Sequence, residues 1–75
     1  MSFDKETFST RLRVKRAEMK VSQAELSEKA GVNIATINSY ENGYYTPGAD
    51  KLWALADALG CDPAWLMGWD ARKAV

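Results

Sequence analysis

Apolar residues recur along this chain at intervals of three and four, and no stretch alternates apolar with polar positions in the manner of a strand. The spacing predicts five helices. The first covers residues 4–19, with Phe8, Leu12 and Met19 on one stripe. The second opens at Ser22, which together with Glu25 has the spacing of a capping box, while Val21 can staple against Leu26 across it. Gly31 supplies a left-handed stop and Asn33 a new cap, so a third helix over 33–41 begins after a tight connection. "ENGYYTPG" then reads as a turn-rich loop. A fourth helix over 49–59 buries Leu52, Leu55, Ala56 and Leu59 and stops at Gly60. The last, short helix starts from Asp62 as cap, with Pro63 in the first turn, where its missing N–H costs nothing. The expected architecture is all-α.

Two charged residues break this pattern. At about 100° per residue, Arg16 falls within the stripe of Phe8, Leu12 and Met19, and Glu41 lies beside Ile37 on the face that Ile37 and Tyr40 turn inward. Either the two meet in a partly buried ion pair joining the first helix to the third, or both snorkel outward along their stems. The opposite face of the third helix carries Ala35, Asn38, Ser39 and Asn42, with Ile34 at its edge. It is small, uncharged and able to donate and accept hydrogen bonds. Such a face suits a DNA major groove about 12 Å wide, and it is equally compatible with a plain solvated surface.

Composition narrows the classes. Seventy-five residues provide one small domain, 1–75, and no apolar run approaches the length that spans a bilayer, so no membrane association is expected. A single cysteine, Cys61, excludes an internal disulfide, and the absence of histidine excludes a histidine-containing zinc site. No metal or other cofactor is expected. The charged start "MSFDKETF" lacks the apolar centre of a secretory signal, which points to a cytoplasmic location. Net charge is zero, but its distribution is uneven: Arg11, Arg13, Lys15, Arg16 and Lys20 lie within ten residues, whereas Lys51 alone faces five acids between Ala30 and Ala71.

As a unit, "SQAELSEKAGVNIATINSYENG" resembles the helix-turn-helix of the phage repressor and Cro family, also called the Xre family. Gln23, Ala24, Leu26, Ala30, Gly31, Ile37, Glu41, Asn42 and Gly43 carry the resemblance, and "RLRVKRAEMKVSQ" and "KLWALADALGCDPAWLMG" extend it to both sides. It implies a compact five-helix, lambda-repressor-like fold with a helix-turn-helix over about 22–42, and sequence-specific binding to a double-stranded DNA operator in transcriptional regulation, most simply repression. It also implies that Arg16 and Glu41 form the family's structural ion pair, that Gln23 and Asn42 contact phosphates, and that Ile34, Ala35 and Ser39 touch base edges, with Asn33 and Asn38 close enough to contribute. On this reading Arg11, Arg13 and Lys15 attract the backbone and Tyr44 helps to clamp it.

Two departures stand out. Tyr44 and Tyr45 follow "ENG" where many relatives carry Lys or Arg, and tyrosines release no counterions, so the salt dependence should be shallow. Ile34 and Ala35 replace polar reading groups, which shifts selectivity toward methyl contacts, Asn33, Asn38, Ser39 and DNA shape. At the other end, Trp65, Leu66 and Trp69 crowd a short segment; they either cap the core or form a homodimer patch, since one such reader recognises too few base pairs alone. No catalytic constellation is present, because Ser22 and Ser39 have no base partner in the sequence. The competing class is a protein-interaction module, such as an antitoxin, built on the same fold.

Overall fold

At both ends of the second helix and at the starts of the third and fifth, side chains or special backbone angles satisfy polar groups that a helix leaves free. The computed structural model describes residues 5–69, and among these it contains α1 (Lys5–Glu18), α2 (Gln23–Ala30), α3 (Ile34–Glu41), α4 (Ala49–Leu59) and α5 (Pro63–Leu66). At the start of α2 the Ser22 hydroxyl accepts from the Glu25 N–H at 3.0 Å, and the Glu25 carboxylate accepts from the Ser22 N–H at 2.8 Å. That backbone hydrogen bond, more than the serine hydroxyl, holds the Glu25 carboxyl below its ordinary range. The capping contribution is therefore present above the unfolded-state carboxylate pKa and is lost as pH falls through the lower folded value. Gly31, at φ 70°, ends α2, and Asn33 restarts the chain by accepting the Ala35 N–H at 2.7 Å. Asp62 caps α5 in the same way, with Pro63 directly behind it.

Helices of eight residues, such as α2 and α3, are too short to persist alone, since about 12–15 residues are marginal even for good formers. Packing holds them. Phe8, Leu12, Leu26, Ile37, Leu55, Leu59 and Leu66 are fully buried in one core, and each such side chain contributes about 1.5–3 kcal/mol by leaving water. Helix α1 lies against α3 and α5, α2 against α3 and α4, and α4 against α5. Phe8 meets Tyr40 edge-on with ring centroids 5.6 Å apart, which locks α1 to α3.

One expectation about the core is corrected, and the choice left open for Leu66 is decided in favour of the core. Met19 is not on the buried stripe: α1 ends at Glu18, Lys20 adopts a positive φ of 58°, and the reversal turns Met19 outward to 39% exposure. Leu66, assigned to a possible dimer patch, is completely buried, because the single turn of α5 aims it into the core; Trp65 is half-buried and Trp69 is 44% exposed. The expected position 4 of the first helix lies outside the described residues.

The chain leaves α5 through Gly68, at φ 81°, where a Cβ would stand 2.6 Å from the Thr7 methyl carbon on α1. Gly68→Ala should therefore lower stability by about 1–3 kcal/mol, from the left-handed backbone and the clash together. Thr7→Ser, which removes the crowded methyl and keeps the hydroxyl, should recover only the clash component in urea unfolding of the double variant.

Candidate nucleic-acid interface

Helix α3 divides by periodicity into two faces. Ile37, Tyr40 and Glu41 are buried, whereas Ile34, Ala35 and Asn38 are exposed and Ser39 is half-buried. The outward face thus carries no charge, and nothing in the described chain covers Ile34, which is 45% exposed. Ala35, Thr36 and Ser39 form one wall of a shallow hollow whose other wall is Tyr45 and Thr46 of the following loop. Asn33 sits at the leading end with its carbonyl oxygen occupied by the cap, and Asn42 sits at the trailing end with its amide nitrogen donating to the Asn38 carbonyl at 2.9 Å.

The buried side of α3 is held by a polar network. Arg16 donates from Nε to Glu41 Oε2 at 2.7 Å and from Nη2 to Glu41 Oε1 at 3.1 Å, a two-pronged contact suited to a planar guanidinium and carboxylate. Its remaining nitrogen, Nη1, donates to the Val21 carbonyl at 3.0 Å and so ties the turn before α2 to the same point. The hydrogen bond to Glu41 outweighs the opposing effect of burial and raises the Arg16 pKa above its ordinary value. Snorkelling is ruled out for Glu41, whose side chain is 5% exposed. Gln23 adds a third donor to Glu41, from Nε2 to Oε1 at 3.1 Å, and the same nitrogen reaches Asn38 Oδ1 at 3.4 Å. The Ser9 hydroxyl donates to the Glu41 backbone carbonyl. No buried side-chain N or O atom among the described residues lacks a partner.

Ser9 and the inner role of Gln23 were missed by sequence reasoning. The signal for Ser9 existed: it stands three residues before Leu12 and seven before Arg16, on the stripe that packs against α3. Gln23 gave no such signal, because its partners arrive from another helix.

The cations of α1 do not act as one group. Arg11 donates to the Trp65 carbonyl and lies over the Trp65 ring, 4.8 Å from its centroid; Lys15 lies 5.9 Å from the same centroid and 3.5 Å from Glu18. Both are drawn toward α5, whereas the resemblance grouped them with Arg13 as cations that attract the backbone. Arg13 differs: it is exposed and shares a shallow hollow with Ser9, Thr10, Asn42 and Gly43 at the trailing end of α3. Tyr44 and Tyr45 project from the adjoining loop at 67% and 65% exposure. The structure thus brings Arg13, Gln23, Asn42 and Tyr44 around α3 and leaves Arg11 and Lys15 on another side.

The chain is similar to known proteins in sequence and in fold. A helix-turn-helix family model matches residues 12–66. Repressor protein C2 of Salmonella phage P22 is 35% identical over 63 residues, which is 84% of this chain and 29% of that protein. The HTH-type transcriptional regulator DicA of Escherichia coli (strain K12) is 28% identical over 67 residues, 89% of this chain and 50% of the other. This chain therefore spans half or less of the length of both relatives. Among solved structures, the P22 c2 repressor in complex with a synthetic operator matches with a TM-score of 0.77 at 33% identity, covering 80% of this chain and 91% of that one. The restriction-modification controller protein C.AhdI from Aeromonas hydrophila matches with a TM-score of 0.79 at 28% identity, covering 84% and 96%. With the family match running from the middle of α1 to the end of α5, and with the turn, the caps and the Arg16–Glu41 pair all in place, this protein belongs to the helix-turn-helix family of phage-repressor type.

Proposed function

We propose that this chain is a sequence-specific reader of double-stranded DNA that regulates transcription, most simply by occupying an operator and blocking access to it. The observation that carries this reading is the uncharged, uncovered face of α3, propped outward by a buried ion pair, in a fold shared with a repressor solved on its operator. Asn33, Ile34, Ala35, Asn38 and Ser39 contact base edges; Arg13, Asn42 and Tyr44 contact the sugar-phosphate backbone through their side chains, and Gln23 does so through its backbone N–H at the start of α2. Arg11 and Lys15 contribute only to the general positive potential of α1.

Residues 1–75 act as one DNA-binding unit that pairs as a homodimer on two half-sites, since one copy spans too few base pairs for useful selectivity. Trp69, rather than Leu66, is available for that pairing. The family is one of DNA-binding regulators and not a class of enzymes, and no helix among the described residues is long and apolar enough to cross a membrane, in keeping with action in the cytoplasm.

Binding to random duplex DNA tests this. With Arg13 as the one cation placed on the backbone in each copy, affinity should fall only about 3- to 4-fold per copy between about 50 and 200 mM salt, less than for relatives with a basic loop. No retention at the lowest salt would favour the protein-interaction reading, for which Trp53, at 69% exposure on α4, is the motivating feature.

A further inference from the structure

The side-chain amide of Asn38 is the most exposed polar group in the middle of the outward face of α3, and its orientation is not free. Glu41, paired in two-pronged fashion with Arg16, is a carboxylate and can only accept hydrogen bonds. Gln23 at 3.1 Å from Glu41 Oε1 must therefore present its NH2 group, because its carbonyl oxygen in that position would face a charged oxygen. The same NH2 group carries a second hydrogen, and Asn38 lies 3.4 Å away along it. Asn38 must then offer its carbonyl oxygen inward, which turns its own NH2 group toward the outside. Polarity passes from the guanidinium of Arg16 through carboxylate and amide to the reading surface, and each link is fixed by the one before it.

From this geometry we infer that Asn38 reads DNA as a donor only and selects guanine at its position in the half-site, and that Gln23 sets this preference by occupying the Asn38 carbonyl. The inference rests on the DNA-reading function proposed above. An asparagine specifies adenine when it donates to N7 and accepts from N6 at once. The Asn38 carbonyl oxygen is turned inward toward Gln23, so the side facing the groove presents the NH2 group and the N6 amino group of adenine would meet a second donor. Guanine presents two acceptors there, N7 and O6, and satisfies an outward NH2 group. Asn33 is similar in that its side-chain carbonyl is turned back to accept from the Ala35 N–H.

Two measurements test the chain of polarity. In the free protein, NMR should find the Gln23 side-chain NH2 protected from exchange with water and the Asn38 NH2 exchanging as fast as an exposed asparagine; the reverse assignment overturns the inference. In selection from a random duplex pool, the native chain should favour guanine over adenine about tenfold at one half-site position, identified by its loss of preference in Asn38→Ser. Gln23→Met keeps the packing and frees the Asn38 amide to turn, so the guanine-to-adenine ratio should fall to about one. If Gln23 acted only by gripping a phosphate, its replacement would weaken both sequences equally and leave the ratio unmoved. Selection of adenine by the native chain, or an unchanged ratio in Gln23→Met, refutes the assigned role. Failure to bind any duplex rejects the DNA-reading function and the base preference with it, while the exchange measurement separately shows whether the amide polarity stands.

Discussion

Arg16→Ala should lower the free energy of unfolding by about 3 kcal/mol, read as a reduced urea midpoint with an unchanged slope. The cost arises less from the lost attraction than from what remains. Glu41, with a side chain only 5% exposed, would keep its charge against the core with Gln23 as its one side-chain donor. The turn before α2 would also lose the bond from Arg16 to the Val21 carbonyl. A chain of this length has a total stability of about 4–11 kcal/mol, so a loss of this size removes between about a quarter and three quarters of it. Glu41→Ala should cost less, because Arg16 is 23% exposed and can reach water. The double variant Arg16→Met with Glu41→Leu provides the sharper comparison. Replacing a buried pair by apolar residues of similar volume is often neutral or stabilising, so this protein should recover its stability and still lose DNA selectivity, because nothing then anchors Gln23. Native-like stability in Arg16→Ala would show that the pair adds nothing to folding.

Ser39→Glu should abolish operator binding, by at least about 100-fold, with a melting temperature within a few degrees of the native chain. Ser39 is half-buried beside Ala35 and Tyr45, at the mouth of an open hollow, so a longer side chain has room to turn outward and the core is untouched. On DNA the same carboxylate would enter the groove among phosphates without a partner, and like-charge juxtaposition at an interface costs several kcal/mol. Ser39→Ala serves as the control, since it removes one hydroxyl and should weaken binding by no more than about tenfold. Undiminished affinity in Ser39→Glu would exclude α3 as the reading element.

The parts of this molecule that were legible in the sequence share a property: their partners are close along the chain. Ser22 and Glu25, Gly31, Asn33, Asp62 with Pro63, and the stop at Gly60 are each decided within one turn of backbone, so spacing alone identifies them. Met19 shows the limit of that logic. Its place on a stripe assumed that α1 kept turning, and the left-handed Lys20 ended the helix first.

Longer-range features were legible only in part. Periodicity placed Arg16 and Glu41 on apolar stripes, but that stripes from two helices face each other is a property of how α1 packs on α3. The cations of α1 show the same limit more strongly. Arg11, Arg13 and Lys15 are alike in a sequence, and it is the return of α5 beneath two of them that draws Arg11 and Lys15 to Trp65 and leaves Arg13 near Asn42.

The sequence by itself determined the number and order of the helices, the ends marked by caps and glycines, and the lack of charge on one face of α3, because these follow from backbone hydrogen bonding and side-chain period. Tertiary structure alone decided which cations remain near that face, that Leu66 belongs to the core, and which way the amides of Gln23 and Asn38 point. Those choices depend on groups brought together from distant positions, and a hydrogen bond has a direction that no spacing along the chain can encode.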